Sequence, residues 1–254
     1  MMLTLHLIIM ANDNEIRSDL QLISYNMHGF TQGYPVLEDL VTNCRLDMLL
    51  LQEHWLTPAN LSKFDDCFTD FFSFGCSAMS HTVGTGMMCG RPFGGVITLI
   101  NNRLRKFTQT IYCEERFCIV RVANYLFVNV YMPCRGTADR LAICDDILAS
   151  VWAWRTQFHW CECVVSGDFN VNLDSSDIVA SRLLRFITDC SLVRCDDIFP
   201  LQKSVTYVNL ALSHQSCIDY ILTSADRSVN LRFWTRTLTF RIIFRCWLSY
   251  HVPI

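Results

Sequence analysis

Val164-Val165-Ser166-Gly167-Asp168-Phe169-Asn170 is the stretch around which the rest of this chain is ordered. The apolar residues Cys163 to Val165 have the length of a buried strand, and Gly167 is expected to release the backbone from it. Asp168 and Asn170 follow two residues apart, with Phe169 between them. On an extended backbone that spacing points both polar side chains to one side and the ring to the other. A carboxylate and an amide projecting together from a strand end can hold a water and a phosphate oxygen. The same residues also suit a strand that closes in an Asx turn. The rest of the chain has to decide between the two.

Upstream, strand-like and helix-like patterns alternate. Leu22-Ile23-Ser24-Tyr25 reads as a strand ending at Asn26, with His28 and Gly29 opening a loop. Val36, Leu37, Leu40, Val41 and Cys44 recur at helical spacing, and Pro35 suits the start of that helix. Asp47 begins a second strand, Met48 to Leu51, which runs out in Gln52-Glu53-His54-Trp55. Two strands therefore end in polar clusters, at Asn26 and at Glu53. In packed α/β sheets, sites gather at strand ends, where loops project side chains into a shared crevice. Gly75 to Gly90 reads as a loop, followed by Gly94-Gly95 and a strand from Val96 to Ile100. Phe117 to Val122 and Leu126 to Tyr131 are expected to pair about a turn near Asn124, with Pro133 ending the pairing. Tyr131 suits an ordinary strand-end aromatic and equally a hydroxyl that reaches a ligand.

A helix is expected from Thr137 to about Phe158, with Leu141, Cys144, Ile147, Leu148, Val151 and Trp152 on one broad face. After the strand at Cys163, a second helix from about Ser176 to Cys190 turns Leu183, Leu184 and Ile187 inward. Asp219 then stands among apolar residues on a further strand, Cys217 to Leu222, where an unpaired acid would be costly. The chain closes on Ser249-Tyr250-His251-Val252-Pro253-Ile254. There is no repeat, low-complexity run or linker, so residues 21–254 read as one domain behind a leader of unknown role, residues 1–20.

Composition bounds the function. The chain has 254 residues, 51% of them hydrophobic and 18% charged, which is enough for a full core and argues against disorder. A net charge of -3 gives no general nucleic-acid signature, so any DNA contact must come from local patches or a metal ion. The 14 cysteines include no CxxC pair and read as reduced, mostly buried thiols of an intracellular protein. No stretch has the roughly 18 apolar residues that a membrane helix needs. Met1 to Met10 is apolar but lacks the basic start and cleavage site of a secretory signal. His28 and His54 lie near the polar strand ends and read as structural or lining residues. His6, His81 and His159 show no ligand spacing.

Tyr25-Asn26, Gln52-Glu53, Val130-Tyr131, Gly167-Asp168-Phe169-Asn170, Ile218-Asp219-Tyr220 and the terminal Ser249-Tyr250-His251 stand in a characteristic order and spacing. In this the chain resembles the endonuclease/exonuclease/phosphatase superfamily. Within it, Gly90-Arg91-Pro92-Phe93-Gly94-Gly95 and Ser213-His214 are similar to the apurinic-type endonuclease domain of non-LTR (LINE-like) retrotransposons. The resemblance runs from about Leu22 to Ile254. It implies an α/β fold, the DNase I-like four-layer α/β sandwich, with two packed mixed β-sheets flanked by helices.

The resemblance also implies roles. Glu53 would be the principal ligand of a divalent ion, Mg²⁺ or in its stead Mn²⁺, with Asn26 beside it in the metal site. Asp168 would orient and help deprotonate the attacking water, and Asn170 would donate to a non-bridging oxygen. Tyr131 would do likewise or assist the leaving group. His251 would polarise the phosphate or transfer a proton, with Asp219 holding its ring. One departure stands out: the family pattern ends in Ser-Asp-His, and here Tyr250 replaces the aspartate. Tyrosine brings bulk and no negative charge at neutral pH, so weaker Mg²⁺ binding and reduced activity are expected.

Arg227, Arg232, Arg236, Arg241 and Arg245 alternate with Phe233, Trp234, Phe240, Phe244 and Trp247. Such a stretch suits a DNA-gripping surface, a solvated strand face or sequence drift. The expectation is a Mg²⁺-dependent endonuclease that nicks a target DNA duplex to leave a 3′-hydroxyl primer for reverse transcription. It would act in the nucleus as a monomer, without a membrane, beside a reverse transcriptase segment that this chain does not carry. An abasic-site repair endonuclease, another phosphoesterase of the superfamily and an inactive retrotransposon relic are the alternatives.

Overall fold

The alternation in the sequence resolves into two sheets in the computed structural model, which describes residues 2–10, 17–80, 92–198, 205–209, 213–224, 236–238 and 241–245. The first part of the chain forms β1 (Met2–Met10), β2 (Arg17–Asn26), α1 (Phe30–Asn43), β3 (Met48–Gln52), α2 (Lys63–Cys67), β4 (Phe71–Cys76) and β5 (Val96–Asn101). Next come β6 (Thr108–Glu114), β7 (Phe117–Val122), β8 (Tyr125–Tyr131), α3 (Arg140–Gln157), β9 (Glu162–Asp168) and α4 (Ile178–Asp189). β10 (Val193–Arg194), α5 (Cys195–Ile198), the hairpin β11 (Tyr207–Asn209) and β12 (His214–Ser216), β13 (Asp219–Thr223), β14 (Arg236–Leu238) and β15 (Arg241–Arg245) complete the order.

One sheet runs β14-β15-β1-β2-β3-β5-β4 and the other β10-β13-β9-β8-β7-β6. Both are mixed. β2 pairs with β3 and β8 with β9 in parallel, while β3–β5, β7–β8 and β9–β13 are antiparallel.

Period-two alternation builds the layers. Leu20 and Leu22 of β2, Met48 and Leu50 of β3, and Val96 and Ile100 of β5 face the second sheet, which answers with Cys118, Val120, Phe127, Val164 and Ile221. The opposite face of the first sheet, with Ile23, Leu49, Leu51 and Ile97, buries Leu37 and Leu40 of α1 and Phe64 of α2. The outer face of the second sheet, with Ile119, Leu126, Val128 and Val165, buries Cys144, Ile147 and Val151 of α3 and Leu183 and Ile187 of α4. Helices, sheet, sheet and helices are the four layers expected from the resemblance. The described cysteines are free, and several, such as Cys118, Cys144 and Cys163, are buried. Among the described residues no helix is long and apolar enough to cross a membrane.

Several local expectations change. Gly167 does not release the strand but lies inside β9, opposite Val130, where a Cβ would meet the Val130 carbonyl oxygen at 1.9 Å. Gly75 likewise belongs to β4 rather than to the following loop. Pro35 sits inside α1 rather than at its start. The helix begins earlier because the Gly29 and Phe30 amides are anchored to the carbonyls of Glu53 and His54, at 2.8 and 2.9 Å. Trp152 and Leu184 are exposed, each one residue and so about 100° round the helix from a buried neighbour, Val151 and Leu183. Within residues 1–20, β1 pairs antiparallel with the first residues of β2, from Met10 with Arg17 to Leu7 with Leu20.

At the end of the sheets remote from the polar strand ends, Asp47 is fully buried just before β3. Its Oδ2 accepts the Gln21 amide at 2.8 Å, and its Oδ1 accepts Arg103 Nε at 2.8 Å and also Arg103 Nη2. The pair ties β2, β3 and the turn after β5 together. Removing the cation strands a buried carboxylate, so Arg103→Leu is expected to cost toward the lower end of about 3–5 kcal/mol, Arg103 being partly solvated. Urea unfolding of parent and variant measures it.

Candidate active site

The alternation that makes the inter-sheet core does not stop at its edge. On β2 the inward positions run Leu20, Leu22, Ser24, Asn26, and on β3 they run Met48, Leu50, Gln52. On β8 they run Tyr125, Phe127, Asn129, Tyr131, and on β9 Val164, Ser166, Asp168. β13 runs the other way, from Asp219 to Ile221. All five strands thus turn from apolar to polar at the same end of the sandwich. Register completes the arrangement: Tyr131 pairs with Asp168 across β8 and β9, and Asp168 with Asp219 across β9 and β13. Three of the expected site residues form a row on one face, because directly opposite residues share a face.

Polar bonds then join the sheets. Gln52 Nε2 donates to Asn129 Oδ1 at 2.6 Å, and Asn129 Nδ2 donates to the carbonyls of Leu51 and Ile97, both at 3.1 Å. Just beyond, Asn26 Nδ2 donates to Glu53 Oε1 and to Asp168 Oδ2, each at 2.8 Å. Asn26 Oδ1 accepts the His28 amide at 3.0 Å, so its amide nitrogen faces the carboxylates. Glu53 Oε2 accepts Trp55 Nε1 at 3.1 Å, with His28 Nδ1 at 3.9 Å, and the Tyr131 phenol lies near enough to Glu53 to feel its charge.

Glu53, Trp55 and His28 all have positive φ, near 52 to 54°, a conformation that non-glycine residues rarely adopt and that clusters at functional sites. The Glu53 amide donates to the Gly95 carbonyl at 2.9 Å. Gly95 has φ 86°, and a Cβ there would stand 2.4 Å from His54 Nε2, so no other residue fits this wall.

Asp168 meets both of the readings open to its stretch. Its Oδ1 accepts the Asn170 amide at 2.8 Å, which is the Asx turn, while its Oδ2 faces the site. Asn170 is not extended. Its φ of 51° turns the side chain so that Nδ2 donates to the Met132 carbonyl at 2.9 Å. The backbone therefore departs from simple alternation at Asn170, because the turn takes over where β9 ends. Phe169 is buried and meets Tyr220 edge-on, as expected of the intervening ring.

Charge is unbalanced here. Burial raises the Asp168 carboxyl well above its ordinary value, with the Asp219 charge adding to it and the bond from Asn26 opposing it. Burial likewise lifts Asp219 to about 6, against the Thr206 hydroxyl that bonds it. Burial and the nearby charges of Glu53 and Asp168 push the Tyr131 phenol up, so it remains a neutral donor. His54, beside Glu53, is a buried structural residue. Its Nδ1 accepts the Leu56 amide at 3.0 Å, Nε2 stands 3.2 Å from the Cys76 carbonyl, and burial lowers its pKa to about 4.

Among the described residues no three His, Cys, Asp or Glu form a metal-holding group. The carboxylates of Glu53 and Asp168 do meet at one Asn26 amide, which suits a cation. That donor set fits Mg²⁺, which takes one or two carboxylates and keeps waters, rather than zinc or a calcium cage.

Thr206, Asn129 and Arg140 were given no role from the sequence, and Gln52 and Trp55 none beyond their place beside Glu53. Thr206 Oγ1 accepts the Ile218 amide at 2.7 Å and that of Asp219 at 3.2 Å. Asn129 and Gln52 carried a signal, as polar residues at inward positions of apolar strands. Next to Asn170 a cleft of about 410 Å³ opens between residues 134–135, residues 170–177 and the hairpin β11–β12. Tyr250 and His251, residues 81–91, His6's side chain, and the side chains of the 227–247 stretch lie outside the described residues.

The family model for the Endonuclease/Exonuclease/phosphatase family matches residues 23–251. The chain belongs to this family. Its members are nucleases and phosphoesterases. The AP endonuclease LMAP from Leishmania major is similar in structure, with a TM-score of 0.70 at 14% identity over 91% of this chain and 88% of that one. The 3'-5' exonuclease NExo from Neisseria meningitidis gives 0.67 at 15% identity, over 90% of this chain and 99% of that one. The endonuclease domain of TRAS1, a telomere-specific non-LTR retrotransposon, gives 0.57 at 10% identity, over 84% and 90%. At these identities the likeness establishes the fold. No curated protein sequence matches the chain.

The buried acids make a stability prediction. A carboxyl raised from 3.8 to about 6 binds its proton more tightly in the folded state than in the unfolded one. Stability is therefore lost as pH rises through that window and stays lower above it. In EDTA the parent should lose stability between pH 4 and 7 relative to Asp219→Asn, by on the order of 2 kcal/mol. Parallel pH dependences of the two unfolding free energies would contradict this.

Proposed function

We propose that the chain is a divalent-metal-dependent DNA endonuclease that nicks target DNA and leaves a 3′-hydroxyl end able to prime reverse transcription. The observation that carries the reading is the meeting of Glu53 from the first sheet and Asp168 from the second at one Asn26 amide, with Tyr131 and Asn170 alongside.

Mg²⁺, held through Glu53, would polarise a phosphoryl oxygen and neutralise charge developing on it. Asn26 keeps the Glu53 carboxylate oriented. Asp168, raised in pKa and bonded through one oxygen to the Asn170 amide, turns its other oxygen toward the site and accepts the proton of the attacking water. Asn170 spends one amide hydrogen on the Met132 carbonyl and offers the other to a non-bridging oxygen. The neutral Tyr131 hydroxyl donates to the phosphoryl or the leaving oxygen. His251, by the family pattern, serves as the proton donor.

The cleft beside Asn170 is of a size to take a nucleotide, with Arg135 exposed at its rim for the backbone phosphates. On this reading the protein works on nuclear DNA as a monomer, in company with a reverse transcriptase. Tyr250, standing where the family pattern has an aspartate, supports a second reading, a folded but inactive relic.

Nicking of supercoiled plasmid in Mg²⁺ separates these readings. The parent should relax the plasmid, Asp168→Asn and Glu53→Ala should lose about 100-fold or more, and Tyr250→Asp should be faster than the parent. A strong preference for abasic oligonucleotide over plasmid would favour repair chemistry instead. Failure of both parent and Tyr250→Asp to nick, with both cooperatively folded, would overturn the endonuclease reading.

A further inference from the structure

We propose that Arg140 is a positioning residue for the reaction, holding the ends of β8 and β9 at a fixed separation and so setting where Asn170 stands beside Tyr131. The inference rests on the phosphodiesterase reading above. Arg140 Nε donates to the Pro133 carbonyl at 3.1 Å, Nη2 to the Asn170 carbonyl at 3.1 Å, and Nη1 to Asp177 Oδ2 at 2.9 Å.

The two carbonyls are equivalent points. Tyr131 and Asp168 are register partners of the parallel strands, and Pro133 and Asn170 each lie two residues beyond. The last main-chain bond between the strand ends runs from the Met132 amide to the Asp168 carbonyl at 2.9 Å. Past it the ladder has ended, and the Arg140 guanidinium takes its place. Asp177 anchors the far side of the fork and also caps α4, its Oδ1 accepting the Val179 amide at 2.9 Å. The Arg140 and Asp177 side chains are 14% and 9% exposed, so the pair is shielded from solvent.

Local physics makes the position costly. Arg140 is the first residue of α3, the end at which the helix dipole disfavours a cation. The residue before it, Asp139, has φ 53° and makes no side-chain cap. A sequence chosen for helix stability would carry the opposite charge here. A cation at an unfavourable helix end, behind a left-handed residue and spending its donors on two strand-end carbonyls, is accounted for by what it holds in place. Lysine cannot replace it, because an ammonium lacks the planar fork that reaches three acceptors at once.

The test uses the whole chain on a plasmid or duplex substrate. Arg140→Lys and Arg140→Gln should lower kcat about ten- to a hundredfold, the cost of misplacing a reacting group by about an ångström, with KM within about threefold of the parent. Arg182→Gln, which removes a cation from an exposed pair with Asp145, serves as the charge-matched control and should leave kcat unchanged. Should the Arg140 variants fail to fold, Asp177→Asn keeps a capping side chain and loses the charge, and should lower kcat in the same sense. Parent-like kcat in Arg140→Lys, or a loss that follows the unfolded fraction, overturns the proposal. If the parent itself does not cleave, the endonuclease reading fails separately. The Asn170 side-chain amide resonances then decide: displacement in Arg140→Lys but not in Arg182→Gln supports the role, and coincidence with the parent overturns it.

Discussion

The Asn26 side-chain amide donates one hydrogen bond to a carboxylate from each sheet, Glu53 Oε1 and Asp168 Oδ2, both at 2.8 Å. Everything else about the site depends on the sheets being registered well enough for that bridge to form. The apolar inter-sheet layer brings them together without direction, as burial of apolar area does. Direction comes from the polar end of the same layer, where Asn129 accepts from Gln52 and donates to main-chain carbonyls of β3 and β5. A shift of one residue in any of these strands would send its polar residue to the helix side and an apolar one into the site.

The site also gathers the local conformations a stable fold avoids. Positive φ at His28, Glu53, Trp55 and Asn170, buried acids at Asp168 and Asp219, and a cation at the start of α3 all lie on or beside it. Each costs stability on its own. They persist because the surrounding bonds over-determine them: Trp55 and Asn26 on Glu53, the Asn170 amide and Asn26 on Asp168, Thr206 on Asp219. The repulsion among Glu53, Asp168 and Asp219 is what a bound cation would relieve.

Much of this was legible in the sequence. Short apolar runs marked β3, β7, β8 and β9, helical spacing marked α1, α3 and α4, and polar residues at strand ends pointed to Asn26, Glu53, Tyr131 and Asp168. The positions that misled were those where a distant contact outweighed the local signal. Gly167 reads as a breaker but is needed inside β9, because the Val130 carbonyl leaves no room for a side chain. Pro35 reads as a helix start, yet the anchored Gly29 and Phe30 amides begin the helix upstream. Arg140 was invisible for the same reason, since its three acceptors are separated along the chain and meet only in the fold. Asp219 read as an acid awaiting a partner, and Thr206 supplies one from a segment whose proximity no local pattern announces.

If Glu53 and its cross-sheet neighbours form a divalent-cation site, the free protein binds Mg²⁺ through them. The most direct measurement is the melting temperature of the parent and of Glu53→Gln across a Mg²⁺ titration, without DNA. The melting temperature should climb with Mg²⁺ in the parent and stay level in Glu53→Gln, since a ligand bound only by the folded state stabilises it by mass action. A parent indifferent to Mg²⁺, or an equal rise in the variant, would contradict it.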